Sequence, residues 1–143
     1  MKHNKGFTIL ELLIVLFLTV LILGLSVLFF ANFLTSNKFN ATVRDISTTI
    51  KQARALAQIH GERQTFTIDL DTKKYWIEGH EAKYIPSDIK ILIRDPMFGD
   101  IHEGKYNFIL HEIGVEGGEI VLSVNKKSAT IQLDPVLGSM VIK

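Results

Sequence analysis

From Leu12 to Asn37 the chain carries no Asp, Glu, Lys or Arg, and Leu12–Phe30 is a 19-residue run that is apolar almost throughout. A helix of that length rises roughly 28 Å, about the hydrocarbon thickness of a bilayer. The run exceeds the about 7–15 residues of a secretory signal core, and the flank Phe30-Ala31-Asn32-Phe33 offers no small-x-small cleavage pattern. A buried soluble helix fits poorly, because nothing in the run is polar enough to face water. The pattern predicts a membrane helix. Lys2 and Lys5 precede it, with Lys38 and Arg44 beyond it, which places the N-terminus in the cytoplasm.

After Asn37 the pattern becomes amphipathic. Phe39, Val43, Ile46, Ile50, Ala53 and Ala57 recur at alternating spacings of 4 and 3, one stripe of a helix, while Lys38, Arg44, Asp45, Lys51, Gln52 and Gln58 fall mostly off it. Phe7 to His60 contains no proline and a single glycine, Gly24, so one continuous helix is expected, with Gly61 as its C-terminal cap. Its first half needs lipid or other such helices around it. Its second half needs a domain on one face.

Beyond Gly61 the chain reads as short strands: Thr65–Leu70, Tyr75–Glu78, Lys90–Arg94, Tyr106–Leu110, Glu119–Val124 and Ala129–Leu133, with Ser139–Ile142 closing the set. Asp71–Lys74 and Asn125–Ser128 read as hairpin turns. Pro86, Pro96 and Pro135 lie between or beside strands. Of the aromatic pair Tyr75-Trp76, alternation sends one ring to the core. The expected fold class is α+β: a long N-terminal helix, transmembrane in its first half, laid against antiparallel strands.

Composition sharpens this division. The 143 residues are 47% hydrophobic, which excludes a disordered chain, and there is no cysteine, which excludes disulfides and thiolate sites. Setting aside Lys2, Lys5 and Glu11, the 106 residues from Lys38 hold 14 basic and 14 acidic side chains. That balance gives no electrostatic case for non-specific nucleic-acid binding.

Two details do not suit a plain anchor. Gly6-Phe7 stands before the apolar run, and Glu11 puts a carboxylate at its start. A charge at a bilayer centre costs about 2.5–3.5 kcal/mol, less near the interface. Glu11 either sits at headgroup level or has a positive partner. A cut after Gly6 would create such a partner, the new α-amino group of Phe7. At i and i+4 on one helix face that ammonium could meet its own Glu11, or the Glu11 of a chain alongside.

The segment Lys5-Gly6-Phe7-Thr8-Ile9-Leu10-Glu11-Leu12-Leu13-Ile14-Val15 resembles the class III signal of type IV prepilins and type II secretion pseudopilins. The resemblance implies a leader, residues 1–6, removed between Gly6 and Phe7 by a prepilin peptidase. It also implies N-methylation of Phe7, a role for Glu11 in assembly, residues 7–37 as the transmembrane and filament-core helix half, and 38–143 as a pilin-like domain. Many members have a proline where this chain has Leu28, so no proline kink is expected there, although Gly24 could loosen the helix.

The tail also resembles one group. Phe108-x-Leu110-x-x-x-Gly114, Gly118-x-Ile120-x-Leu122, Ile131-x-Leu133 and Leu137-Gly138-x-x-Val141, with Arg54-Ala55-x-Ala57 ending the helix, are similar to the H-type minor pseudopilins, the GspH/FimT group. That implies two β-sheets packed with the helix. It further implies a structural subunit near the tip of a type II secretion pseudopilus, and not an enzyme. Its implied partners are the peptidase, other minor and major pseudopilins, an inner-membrane assembly platform and, before assembly, membrane lipid. The domain would lie outside the cytoplasm, in the periplasm. Alternatives are a minor type IV pilin or competence pseudopilin, used in adhesion, twitching or DNA uptake. DNA uptake predicts a basic tail, where Leu137–Lys143 offers one lysine. A membrane-anchored binding module or enzyme would instead keep Met1 as its N-terminus.

Chemical motifs are sparse. His3, His60, His80, His102 and His111 form no HExxH or paired-ligand spacing, and read as surface or loop residues. Asp95, Asp100 and Glu103 share a loop with Gly99, but their spacing is no EF-hand, and solvated carboxylates are expected in place of calcium ligands. No G-x-S-x-G, P-loop or GxGxxG occurs. No cofactor and no metal are expected.

Overall fold

The computed structural model describes residues 6–136 and 140–142, with the side chains of 26–32 and 140 outside that description. The expectations that fall on Met1–Lys5, on Leu137–Ser139 and on Lys143 therefore lie outside the described residues. Contacts divide the chain into two compact units, Met1–Asn37 and Lys38–Lys143.

A single helix, α1, is assigned over Ile9–His60, and it supplies the described secondary structure of the first unit. Its apolar side chains from Ile9 to Leu25 are 46–79% exposed where they are large. Among the described residues no helix is long and apolar enough to cross a membrane. Within the Leu12–Phe30 run the described side chains stop at Leu25.

The second unit packs the rest of α1 with ten strands. They are β1 (Gln64–Asp69), β2 (Lys74–Ile77), β3 (Lys83–Tyr84), β4 (Lys90–Asp95), β5 (Gly99–Ile101), β6 (Lys105–Leu110), β7 (Val115–Glu116), β8 (Glu119–Val124), β9 (Lys127–Leu133) and β10 (Met140–Ile142). They form two five-stranded antiparallel sheets, ordered β3-β2-β1-β6-β7 and β10-β9-β8-β4-β5. The border strands are only two or three residues long. This is the α+β, pilin-like arrangement that the pattern predicts.

All six residues of the expected helical stripe are buried. Phe39, Val43, Ile46, Ile50 and Ala53 share one core with inward residues of both sheets, among them Phe66, Phe108, Ile120 and Ile131. Alternation on β8 puts Ile120, Leu122 and Val124 inside. Thr42, Ser47 and Thr49 flank the stripe and are also buried, where apolar residues would be expected. Their hydroxyls donate to the carbonyls of Lys38, Val43 and Asp45 four residues back, at 2.7–2.9 Å, which satisfies each donor within the helix. Of the aromatic pair, Tyr75 is the buried ring.

Several boundaries move. Helix α1 starts at Ile9 and not at Phe7, because Thr8 caps it. Strand β1 ends at Asp69, and β2 begins at Lys74, each one residue earlier than expected. Asp69 Oδ1 accepts the backbone N–H groups of Asp71 and Thr72, so the turn begins at Leu70, whose apolar side chain disguised it as strand. The β8–β9 turn is two residues, Asn125-Lys126, with Asn125 in the left-handed region (φ 51°), so β9 starts at Lys127. Strands β3, β5 and β7 were not foreseen; two or three residues carry no alternation.

Two glycines of the tail pattern have a physical reason. A Cβ on Gly114, whose φ is 92°, would lie 2.4 Å from the Pro135 carbonyl oxygen, the group that accepts the Val115 N–H. A Cβ on Gly118 would lie 2.3 Å from the Arg94 carbonyl oxygen of β4.

Candidate functional site

The N-terminal segment holds Gly6, Phe7 and Glu11. Gly6, Phe7 and Thr8 lie outside the helix. Thr8 Oγ1 accepts the Glu11 backbone N–H at 3.2 Å, and the Thr8 carbonyl accepts the Leu12 N–H at 3.2 Å, so Thr8 is the N-cap. Reading the residues for chemistry missed this role, yet Thr8-x-x-Glu11 has the capping-box spacing that signals it.

Phe7 is 79% exposed. It precedes the cap, so in the chain as described Phe7 and Glu11 are not on one helical face. Glu11 is exposed in the first turn, where the helix dipole favours a carboxylate. Among the described residues it enters no ion pair. A side chain added at Gly6 would meet nothing within 4 Å, and the same is true of Gly24.

The other candidates are placed separately. His60, His80 and His102 are exposed, and His111 pairs with Glu116 at 2.9 Å; His3 lies outside the described residues. Among the described residues no three His, Cys, Asp or Glu side chains converge as metal ligands. The Asp95–Glu103 stretch is a hairpin: Asp95 Oδ1 accepts the N–H groups of Met97 and Phe98, and its Oδ2 accepts the Tyr106 hydroxyl. Asp100 takes Arg94 Nε at 3.2 Å.

Two tyrosine–aspartate pairs tie the second unit together, and neither had a sequence signal, since the partners come from different elements. Tyr75 on β2 donates to Asp45 on α1, and Lys83 Nζ reaches the same carboxylate at 2.9 Å. Tyr106 on β6 donates to Asp95 at the end of β4. The Tyr75 hydroxyl, then Lys83, hold the Asp45 carboxyl below the usual range. Tyr106 and the turn N–H groups do the same for Asp95. Burial first, and then the carboxylate partner, push both tyrosines well above their ordinary 10.0. Depressed carboxyls stabilise above their unfolded value and lose that contribution as pH falls. Raised phenols contribute below about pH 10 and lose it as pH rises. The melting temperature should therefore be flat near neutrality and fall below about pH 4 and above about pH 10. In Tyr75→Phe/Tyr106→Phe the alkaline fall should shrink, as thermal melts across pH would show.

A family model described as the prokaryotic N-terminal methylation motif matches residues 1–27. The searches of curated proteins and of solved structures found no match. The matched segment holds Gly6, Phe7, Thr8, Glu11 and most of the apolar run. It is a type IV prepilin-like motif, and with the α+β arrangement it supports a protein of the pilin and pseudopilin class. The motif implies processing by a prepilin peptidase and assembly with other pilin-like subunits.

Proposed function

We propose that the chain is a structural subunit, a minor pseudopilin of a type II secretion system, and that it performs no catalysis. Prepilin peptidase cuts between Gly6 and Phe7, and Phe7 becomes the N-methylated terminus. The Leu12–Phe30 run holds the subunit in the inner membrane, with the domain from Lys38 on the periplasmic side. The helix then leaves lipid for a bundle of other minor and major pseudopilins, Glu11 meeting a neighbour's Phe7 amine. The transfer costs little in apolar surface, since lipid tails and helix side chains are equally greasy. Extraction by an ATP-driven motor through an inner-membrane assembly platform is thereby feasible. No cofactor, metal or nucleic acid enters this scheme.

The observation that carries the reading is the capped helix start. Thr8 ends the helix two residues after Gly6, so the Gly6–Phe7 bond lies in non-helical backbone, open to a protease. Gly6 has open space around it among the described residues, so no described neighbour asks for glycine there. A requirement for glycine would come from the enzyme that grips it. The H-type assignment rests on the tail pattern, whose Gly114 and Gly118 sit where a side chain has no room.

Mass spectrometry of the membrane-extracted protein tests the reading. The expected species begins at Phe7 and carries one methyl group. An intact chain beginning at Met1 would refute it and favour a tethered binding module or enzyme.

A further inference from the structure

The second unit is neutral as a whole, but its charges are sorted. A groove of about 700 Å³ opens between α1 and the β8–β9 turn. Arg44 and Lys51 line one wall, and Lys126 and Lys127 the other, with no carboxylate among the described lining residues. Val43, Ala129 and Ile142 give it an apolar floor. Such a site fits an acidic segment carrying an apolar side chain. A nucleic acid fits less well, because base stacking needs an exposed ring and the lining aromatic, Phe39, is 3% exposed.

The same domain presents that segment. Between β6 and β7, Glu112 and Ile113 project from a loop, with Ile113 77% exposed. Glu112 makes no ion pair among the described residues. Glu116 follows, paired with His111, and Glu62 and Arg63 after α1 offset one another in charge. The loop lies toward the C-terminal end of α1, where Gln58 Nε2 donates to the Glu112 carbonyl at 3.4 Å. The groove takes its helical residues from Phe39 to Lys51. Loop and groove are thus offset along one helix by 7 or more residues, at least about 10 Å.

We propose that the groove receives the Glu112–Glu116 loop of a second copy of this chain: Ile113 seats on the apolar floor, and Glu112 and Glu116 face Arg44, Lys51 and Lys126. Because groove and loop are different patches, the contact is head-to-tail and leaves a free groove at one end and a free loop at the other. It rests on the assembly reading above and adds the domain surface that would set the axial stagger.

The absence of cysteine makes the test clean. Ile113→Cys and Ser128→Cys, both at exposed positions, are made in separate full-length chains and mixed in detergent micelles under mild oxidation. Disulfide-linked dimer should exceed by at least fivefold that from Ile113→Cys mixed with a Ser87→Cys control. The yield should fall severalfold in 0.5 M salt, where charge attraction is screened over about 4 Å. Arg44→Glu/Lys51→Glu in the Ser128→Cys chain should abolish the excess, and Glu112→Lys/Glu116→Lys in the partner should restore it. A yield equal to the control, or one indifferent to charge reversal, overturns the proposal. Linkage of Ser128→Cys to a different protein in membranes, with none to Ile113→Cys, also overturns it and gives the groove to another partner. Mass spectra of the same samples report trimming: trimmed chains that do not link defeat this inference alone, whereas untrimmed chains defeat the assembly reading.

Discussion

Glu11→Leu should be synthesised, inserted and trimmed at normal levels, and should enter filaments at least about tenfold less than the parent chain. The cap explains why the defect is confined to assembly. Thr8 Oγ1 holds the backbone N–H of residue 11, which leucine retains, so the helix starts where it did. Losing the carboxylate from the first turn costs only about 0.3–1 kcal/mol of dipole interaction. In a bundle of apolar helices the neighbour's Phe7 ammonium would then lack its counter-charge. A lone charge there costs about 2.5–3.5 kcal/mol, and each 1.4 kcal/mol is about tenfold in an equilibrium. Quantitative immunoblots of sheared filaments against membrane fractions read the ratio. Glu11→Gln separates charge from bulk and should behave like the leucine variant. Normal incorporation of both would end the pairing idea.

Phe66→Ala should destabilise the second unit by about 3–5 kcal/mol, the range for deleting a fully buried phenylalanine. Phe66 is 0% exposed, stands opposite Ile77 on β2 and Phe108 on β6, and has the Tyr75 and Phe108 rings at 6.0 and 5.9 Å. The loss also loosens Tyr75, whose hydroxyl anchors β2 to α1 through Asp45. Chemical denaturation followed by circular dichroism checks this, a readout that does not depend on Trp76, the sole tryptophan. By contrast Trp76→Phe, at a half-buried position, should cost much less, so a similar loss in both would contradict the assigned core.

The long-range plan of the fold was legible because it rests on periodicity. The six-residue stripe from Phe39 to Ala57 announced a helix with one buried face, and the alternation in Glu119–Val124 announced a strand with the observed ends. What escaped notice rests on single hydrogen bonds. Thr8 starts α1 two residues later than expected, Asp69 turns the chain one residue early, and the short β3, β5 and β7 are defined by their neighbours. For the candidate site, Gly6, Phe7 and Glu11 were visible as a linear pattern. The cap that separates Phe7 from the helix needed coordinates, although its spacing was in plain view. The sorting of Arg44, Lys51, Lys126 and Lys127 onto one groove was invisible, because two of them come from the helix and two, in the β8–β9 turn and at the start of β9, from about 80 positions later.

The two-residue borders β3 and β7, and the three-residue β5 and β10, bear on a hazard that any self-associating chain faces. An open sheet edge offers unpaired amides and carbonyls to the next molecule, and long flat edges seed amyloid-like stacking. Here each border strand, as described, offers only two or three residues to such templating. Short borders of this kind disfavour sheet-to-sheet joining in a protein whose N-terminal motif implies assembly with other subunits.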